Sequence, residues 1–112
     1  MIQKERKVYS RYTHATLRLM AKYIKAERLE RGVKMQDIAD RAGISRGLLR
    51  RIENADPSCS IGAVFEVASI LGIPLFNLDY EGVIVRQKWL DEKLLLLPRE
   101  ARRKNKEIDD KF

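Results

Sequence analysis

The sequence predicts an all-α fold: four helices and a closing helix or turn within residues 13–79, then an extension over residues 80–112. Three observations carry that prediction. Apolar residues recur at three- and four-residue steps, glycines stand where those runs stop, and serines stand where later runs begin.

The first helix is expected from Thr13, with Leu17, Met20, Ile24, Arg28 and Arg31 along one face. Gly32 is its stop, because glycine takes the left-handed conformation that ends a helix without a Cβ clash. A short second helix is expected from about Met35 to Ala42, with Ile38 and Ala39 inward and Gly43 ending it. Ser45 suits the N-cap of a third helix, in which Leu48, Leu49 and Ile52 are apolar. NADPSCS reads as a loop from its Asn, Asp, Pro and Ser content. Ser60 caps a fourth helix whose Ile61, Val64, Phe65, Val67, Ala68 and Leu71 form a broad apolar stripe, closed by Gly72. IPLFNL suits a short final helix or turn. Beyond Asp79 the β-branched residues of YEGVIV point to a short strand over Tyr80 to Val85. VRQKWLDEKLLLL then reads as a helix with Val85, Trp89 and Leu96 roughly aligned. The segment after Pro98, REARRKNKEIDDKF, is too polar to pack and is expected to be mobile.

A chain of 112 residues, 45% hydrophobic and 35% charged, suits one soluble domain with short extensions. Cys59 stands alone, so no intrachain disulfide forms, which fits a reducing cytoplasm. No apolar run approaches the about 20 residues of a membrane span, and MIQKERKVYSRY lacks the apolar stretch of a signal peptide. A cytoplasmic, nucleoid-associated protein is the expectation. The net charge of +7 is unevenly spread. Residues 1–34 carry ten Lys/Arg against three Asp/Glu, whereas residues 55–81 carry no Lys or Arg and four acids. Residues 82–112 are basic again, nine against six. Basic ends around an acidic, apolar middle suggest one face for a polyanion and another for protein contact.

DIADRAGISRGLLRRIEN, residues 37–54, concentrates the chemistry. Two helices that meet at a tight corner need a small residue where they nearly touch, a residue tolerant of positive φ in the turn, and an apolar residue locking the crossing. Ala39, Gly43 and Leu49 meet these needs in that order, with Ile38, Ile44 and Ile52 filling the core.

With RLERG, IADRAGISRGLLRRIEN and SIGAVFEVASILGIPL at these separations, residues 13–79 resemble the Cro/C1-type (XRE-family) DNA-binding domain, the five-helix lambda-repressor-like fold. The resemblance implies a homodimer that places two third helices in successive major grooves of double-stranded DNA. Carried over residue by residue, it puts Ser45, Arg46, Gly47, Arg50 and Arg51 toward base edges. An arginine fork binds guanine O6 and N7 together, a pairing worth about 1–3 kcal/mol of discrimination. Arg46 and Arg50 are four apart and share a helical face. Asn54 matches a phosphate-touching position. Arg28 and Glu53 match a partly buried ion pair between helices 1 and 3, a structural role.

Two departures stand out. The second helix of this family usually opens with Ser or Thr and then Gln; here those places hold Lys34 and Met35, with Gln36 one step later. Lys34 retains a point charge for phosphate but departs from the family's capping contact. Leu48 occupies a place that is usually polar; the alternatives are packing beside Ile52 and contact with a thymine methyl.

The extension, with its leucine run, proline, basic cluster and terminal DDKF, resembles the HipB-like antitoxins encoded beside HipA-like kinases. That resemblance implies a homodimer that represses its own operon and binds a kinase toxin. Val83 and Val85, on the expected strand, would pair across the two-fold axis, and Trp89 is the expected interface anchor. The alternatives are a phage-type or other operon repressor without a toxin partner, and a protein-binding adaptor that uses the acidic middle and the tail and has no DNA site. Catalysis is not expected: one histidine, His14, and one cysteine, Cys59, make neither a metal cluster nor a Cys/His pair. No cofactor is implied.

Overall fold

A computed structural model describes residues 8–99. Its described residues form five α-helices and no strand: α1 (Arg11–Glu30), α2 (Met35–Ala42), α3 (Arg46–Glu53), α4 (Ile61–Ile70) and α5 (Tyr80–Leu96). The chain divides into two compact units after Phe76, so the first four helices belong to one unit and α5 to the other.

In the first unit the apolar stripes converge. Ile24 of α1, Ile38 and Ala39 of α2, Leu49 and Ile52 of α3, Val67 of α4 and Leu71 form one buried cluster. Met20, Val33, Ile44, Leu48, Val64 and Ile73 pack against its edge. Truncating a fully buried member such as Leu49 to alanine costs about 2–5 kcal/mol, because the neighbours only partly fill the gap. The inner face of α1 is Ala21, Ile24 and Arg28 rather than a stripe reaching Arg31. Arg31 lies outside, bridged to Glu27 at 3.1 Å. Ile61, expected in the α4 stripe, is 70% exposed.

The helix ends repeat one device. After α1, α2 and α4 the chain turns at Gly32, Gly43 and Gly72, with φ of 68°, 69° and 74°. The next amide reaches back to a carbonyl inside the helix: Val33 to Arg28 at 3.1 Å, Ile44 to Ala39 at 3.0 Å and Ile73 to Ala68 at 2.9 Å. Helix α3 stops the same way without a glycine. Ala55 takes φ 62°, and Asp56 N–H donates to the Arg51 carbonyl at 3.0 Å. Ser10, Ser45 and Ser60 cap α1, α3 and α4, each accepting from the amide three residues on. IPLFNL contains a tight turn over Leu75–Asn77, with Phe76 and Asn77 at positive φ.

The strand expected over Tyr80 to Val85 is not formed; these residues open α5. The Asp79 side chain accepts from Gly82 N–H at 2.8 Å, and Val83 N–H donates to the Asp79 carbonyl at 2.9 Å. A capped first turn continuous with a helix-favouring sequence outweighs the mild strand preference of Val83, Ile84 and Val85. Val85, Trp89 and Leu96 lie on α5 and are 65%, 61% and 87% exposed. Of the tail expected to be mobile, residues 100–112 lie outside the described residues.

Candidate nucleic-acid interface

The site begins with the corner. Ala39 is fully buried and Gly43 supplies the left-handed turn. Gly43 N–H donates back to the Asp40 carbonyl at 3.2 Å. Ser45 is extended, φ −75° and ψ 155°, and its hydroxyl accepts from Leu48 N–H at 3.0 Å. Together these turn α3 sharply away from α2 and fix which of its faces is inward. Leu49 and Ile52 point into the core and Leu48 packs at its edge. Arg46, Gly47, Arg50 and Arg51 are left on the exposed side.

The arginines of α3 are not equivalent. Among the described residues no carboxylate pairs with Arg46 or Arg50. Arg51 instead reaches into the loop after α3: its Nε donates to Asp56 Oδ2 and its Nη2 to Ser58 Oγ, both at 2.9 Å. Asp56 Oδ1 accepts from Ser58 N–H at 2.8 Å and from the Ser58 hydroxyl at 2.7 Å. Those Ser58 bonds, backbone first, and then Arg51 hold the Asp56 carboxyl down at about 2. The Asp56 carboxylate, through its hydrogen bond and its charge, pushes the Arg51 guanidinium pKa further up, so the pair is charged at any working pH.

The flanking positions are Lys34, Gln36 and Asn54. Lys34 stands at the N-cap of α2 without a side-chain capping bond, so the departure in sequence is a departure in contact. Gln36 is exposed and its amide donates to Asp40 Oδ1 at 2.9 Å. Asn54 is exposed and ends α3, its N–H shared between the Arg50 and Arg51 carbonyls. Behind the site, Arg28 donates through Nε and Nη2 to Glu53 and through Nη1 to the Val33 carbonyl at 3.2 Å. The side chains of Arg28 and Glu53 are 10% and 6% exposed.

Residues 24–78 match the family model described as Helix-turn-helix. The match and the observed corner support a helix-turn-helix of the Cro/C1 (XRE) type over this segment. The matched segment spans the described corner, the arginine-bearing helix and α4, the elements with which a helix-turn-helix contacts DNA. No curated protein and no solved structure matches the chain.

Outside this domain, Val83, Val85 and Trp89 all fall on α5, where Arg86 lies over the Trp89 ring at 5.8 Å. His14 is half-buried on α1, with its ring edge-on to Tyr9 at 6.0 Å. Cys59 packs against the core edge, and burial pushes its thiol pKa up, away from the nucleophilic thiolate. No helix among the described residues is long and apolar enough to cross a membrane. Reading the sequence alone missed Asp56 and Ser58. The signal was there in DPS, an aspartate placed to bond the backbone two residues on.

Proposed function

We propose that this protein is a sequence-specific repressor that binds its operator as a homodimer, with α3 in the major groove. One observation carries the reading: α3 buries Leu49 and Ile52 while Arg46 and Arg50 stand exposed with no described carboxylate on them. Arg46, Arg50 and Arg51 supply forked donors for guanine edges. Ser45 and Gly47 let the start of α3 come close, and Lys34, Gln36 and Asn54 meet phosphates. A salt titration on duplex DNA tests this. Log affinity should fall linearly with log salt, and Arg46→Ala with Arg51→Ala should remove sequence preference. A flat salt dependence, or no binding at low salt, favours a protein-binding adaptor, and preference that survives both changes refutes the residue assignment.

The self-contact is assigned to α5, whose Val85, Trp89, Leu90 and Leu94 are exposed apolar residues. With the expected strand replaced by helix, pairing would run through side chains rather than strand backbones. Sedimentation should show a dimer that Trp89→Ala weakens. A HipA-like kinase partner rests on the leucine run, Pro98 and the basic tail, and co-purification with such a kinase, lost on deleting residues 86–112, tests it. An operon repressor without a toxin shares the DNA site and differs only in that result.

A further inference from the structure

Arg28 and Arg51 use the same edge of the guanidinium and differ in what is left over. Both donate through Nε and Nη2, which lie side by side on one edge of the planar group. Arg28 spends Nη1 on the Val33 carbonyl and is buried. Arg51 has no described partner on Nη1, and its side chain is 51% exposed. The free donors of Arg51, those of Nη1 and the outer one of Nη2, therefore form an open fork at the far end of the group. The edge behind it is held by a closed ring of short bonds among Arg51, Asp56 and Ser58. A flexible arginine ordered before binding gives up less freedom when it meets its ligand.

We infer that Asp56 and Ser58 are positioning residues for Arg51, holding its side edge so that its end fork meets the O6 and N7 of one guanine in each half-site. The inference rests on the DNA-binding reading above and adds which arginine is preset, by which partners and for which base. A simpler role for Asp56 makes the opposite prediction. A carboxylate that merely competed with phosphate for Arg51 would lower affinity for every duplex alike.

The test uses the full chain and the duplex that the unaltered protein enriches from a randomised pool. Each guanine of that duplex is then changed singly to adenine, and affinities are measured across salt. Arg51→Ala should identify the G·C pair at which preference is lost. Asp56→Asn should reduce preference at that same pair about tenfold, within the range of one bidentate base contact, with the salt slope unchanged. Ser58→Ala, which leaves the carboxylate in place, should move it in the same direction. Adding Asp56→Asn to Arg51→Ala should cost nothing further. Thermal melts of each variant separate misfolding from lost positioning.

A rise in affinity for all duplexes, with the slope steeper by about one phosphate, would show competition and overturn the inference. So would unchanged discrimination in both Asp56→Asn and Ser58→Ala. If the unaltered protein enriches no duplex, the DNA-binding reading fails and takes the inference with it; enrichment followed by unaffected variants sinks the inference alone.

Discussion

Arg28 and Glu53 meet through two parallel hydrogen bonds, Nε to Oε2 at 2.7 Å and Nη2 to Oε1 at 3.0 Å, and so tie α1 to α3. The pair is nearly closed to water, and the Glu53 hydrogen bond raises the Arg28 pKa against the opposing effect of burial. Removing one member strands the other. Arg28→Met should therefore destabilise the domain by about 3–5 kcal/mol in urea unfolding. The double change Arg28→Met with Glu53→Leu should recover much of that loss, since no uncompensated charge remains. Additive losses in the double variant would contradict the argument.

Ala55 does at the end of α3 what glycine does after α1, α2 and α4. An L-residue in the left-handed region costs roughly 1–2 kcal/mol, partly offset by the greater unfolded-state freedom that glycine brings. Ala55→Gly should raise the denaturation midpoint, by an amount equivalent to at most about 1 kcal/mol. Proline there should disrupt the turn that ends α3, because its φ is locked negative.

Gly47 has the opposite balance. A Cβ built on it would meet nothing closer than Ser45 Oγ at 3.9 Å, an ordinary contact. Gly47→Ala should stabilise α3 by about 0.5–1 kcal/mol. If α3 enters the groove by its first turn, the same methyl should weaken operator binding. Calorimetry and a binding isotherm on one variant then move in opposite directions; parallel gains would place Gly47 away from the duplex.

Asp56 gives a pH signature. Its folded-state pKa, about 2, lies below the unfolded value of an ordinary aspartate. A depressed carboxyl contributes stability that is present above the unfolded pKa and is lost as pH falls through the folded one. The contribution is thus intact at neutral pH and fades between the ordinary aspartate range and about 2. Carboxyl NMR should show this late titration, and Ser58→Ala and Arg51→Ala should each move it upward, while the Ser58 backbone N–H, the largest cause, still holds it below the ordinary aspartate range in both. Titration in the ordinary range would mean that the ring of bonds is not populated in solution.

Sequence spacing reached the corner almost unaided. Met35–Ala42, Gly43 and Ser45 fall where periodicity, left-handed glycine and serine capping place them, because those signals act within a few residues. Three features were out of reach for the same reason. The partners of Arg51 arrive from a loop whose path is set only once α3 has ended. The C-terminal stop of α3 is an alanine, which carries no warning of positive φ. The first turn of α5 is decided by one capping aspartate outside the β-branched run that suggested a strand.

The inward half of α3 consists of Leu49 and Ile52, held by a serine at one end and by the Arg28–Glu53 pair behind. Of those anchors only Ser45 also lies on the exposed side. The exposed letters at positions 46, 47 and 50 can thus be rewritten singly without disturbing what keeps the helix in place. A change of operator preference then needs no compensating repair elsewhere, and retargeted variants should tolerate heat much as their parent does.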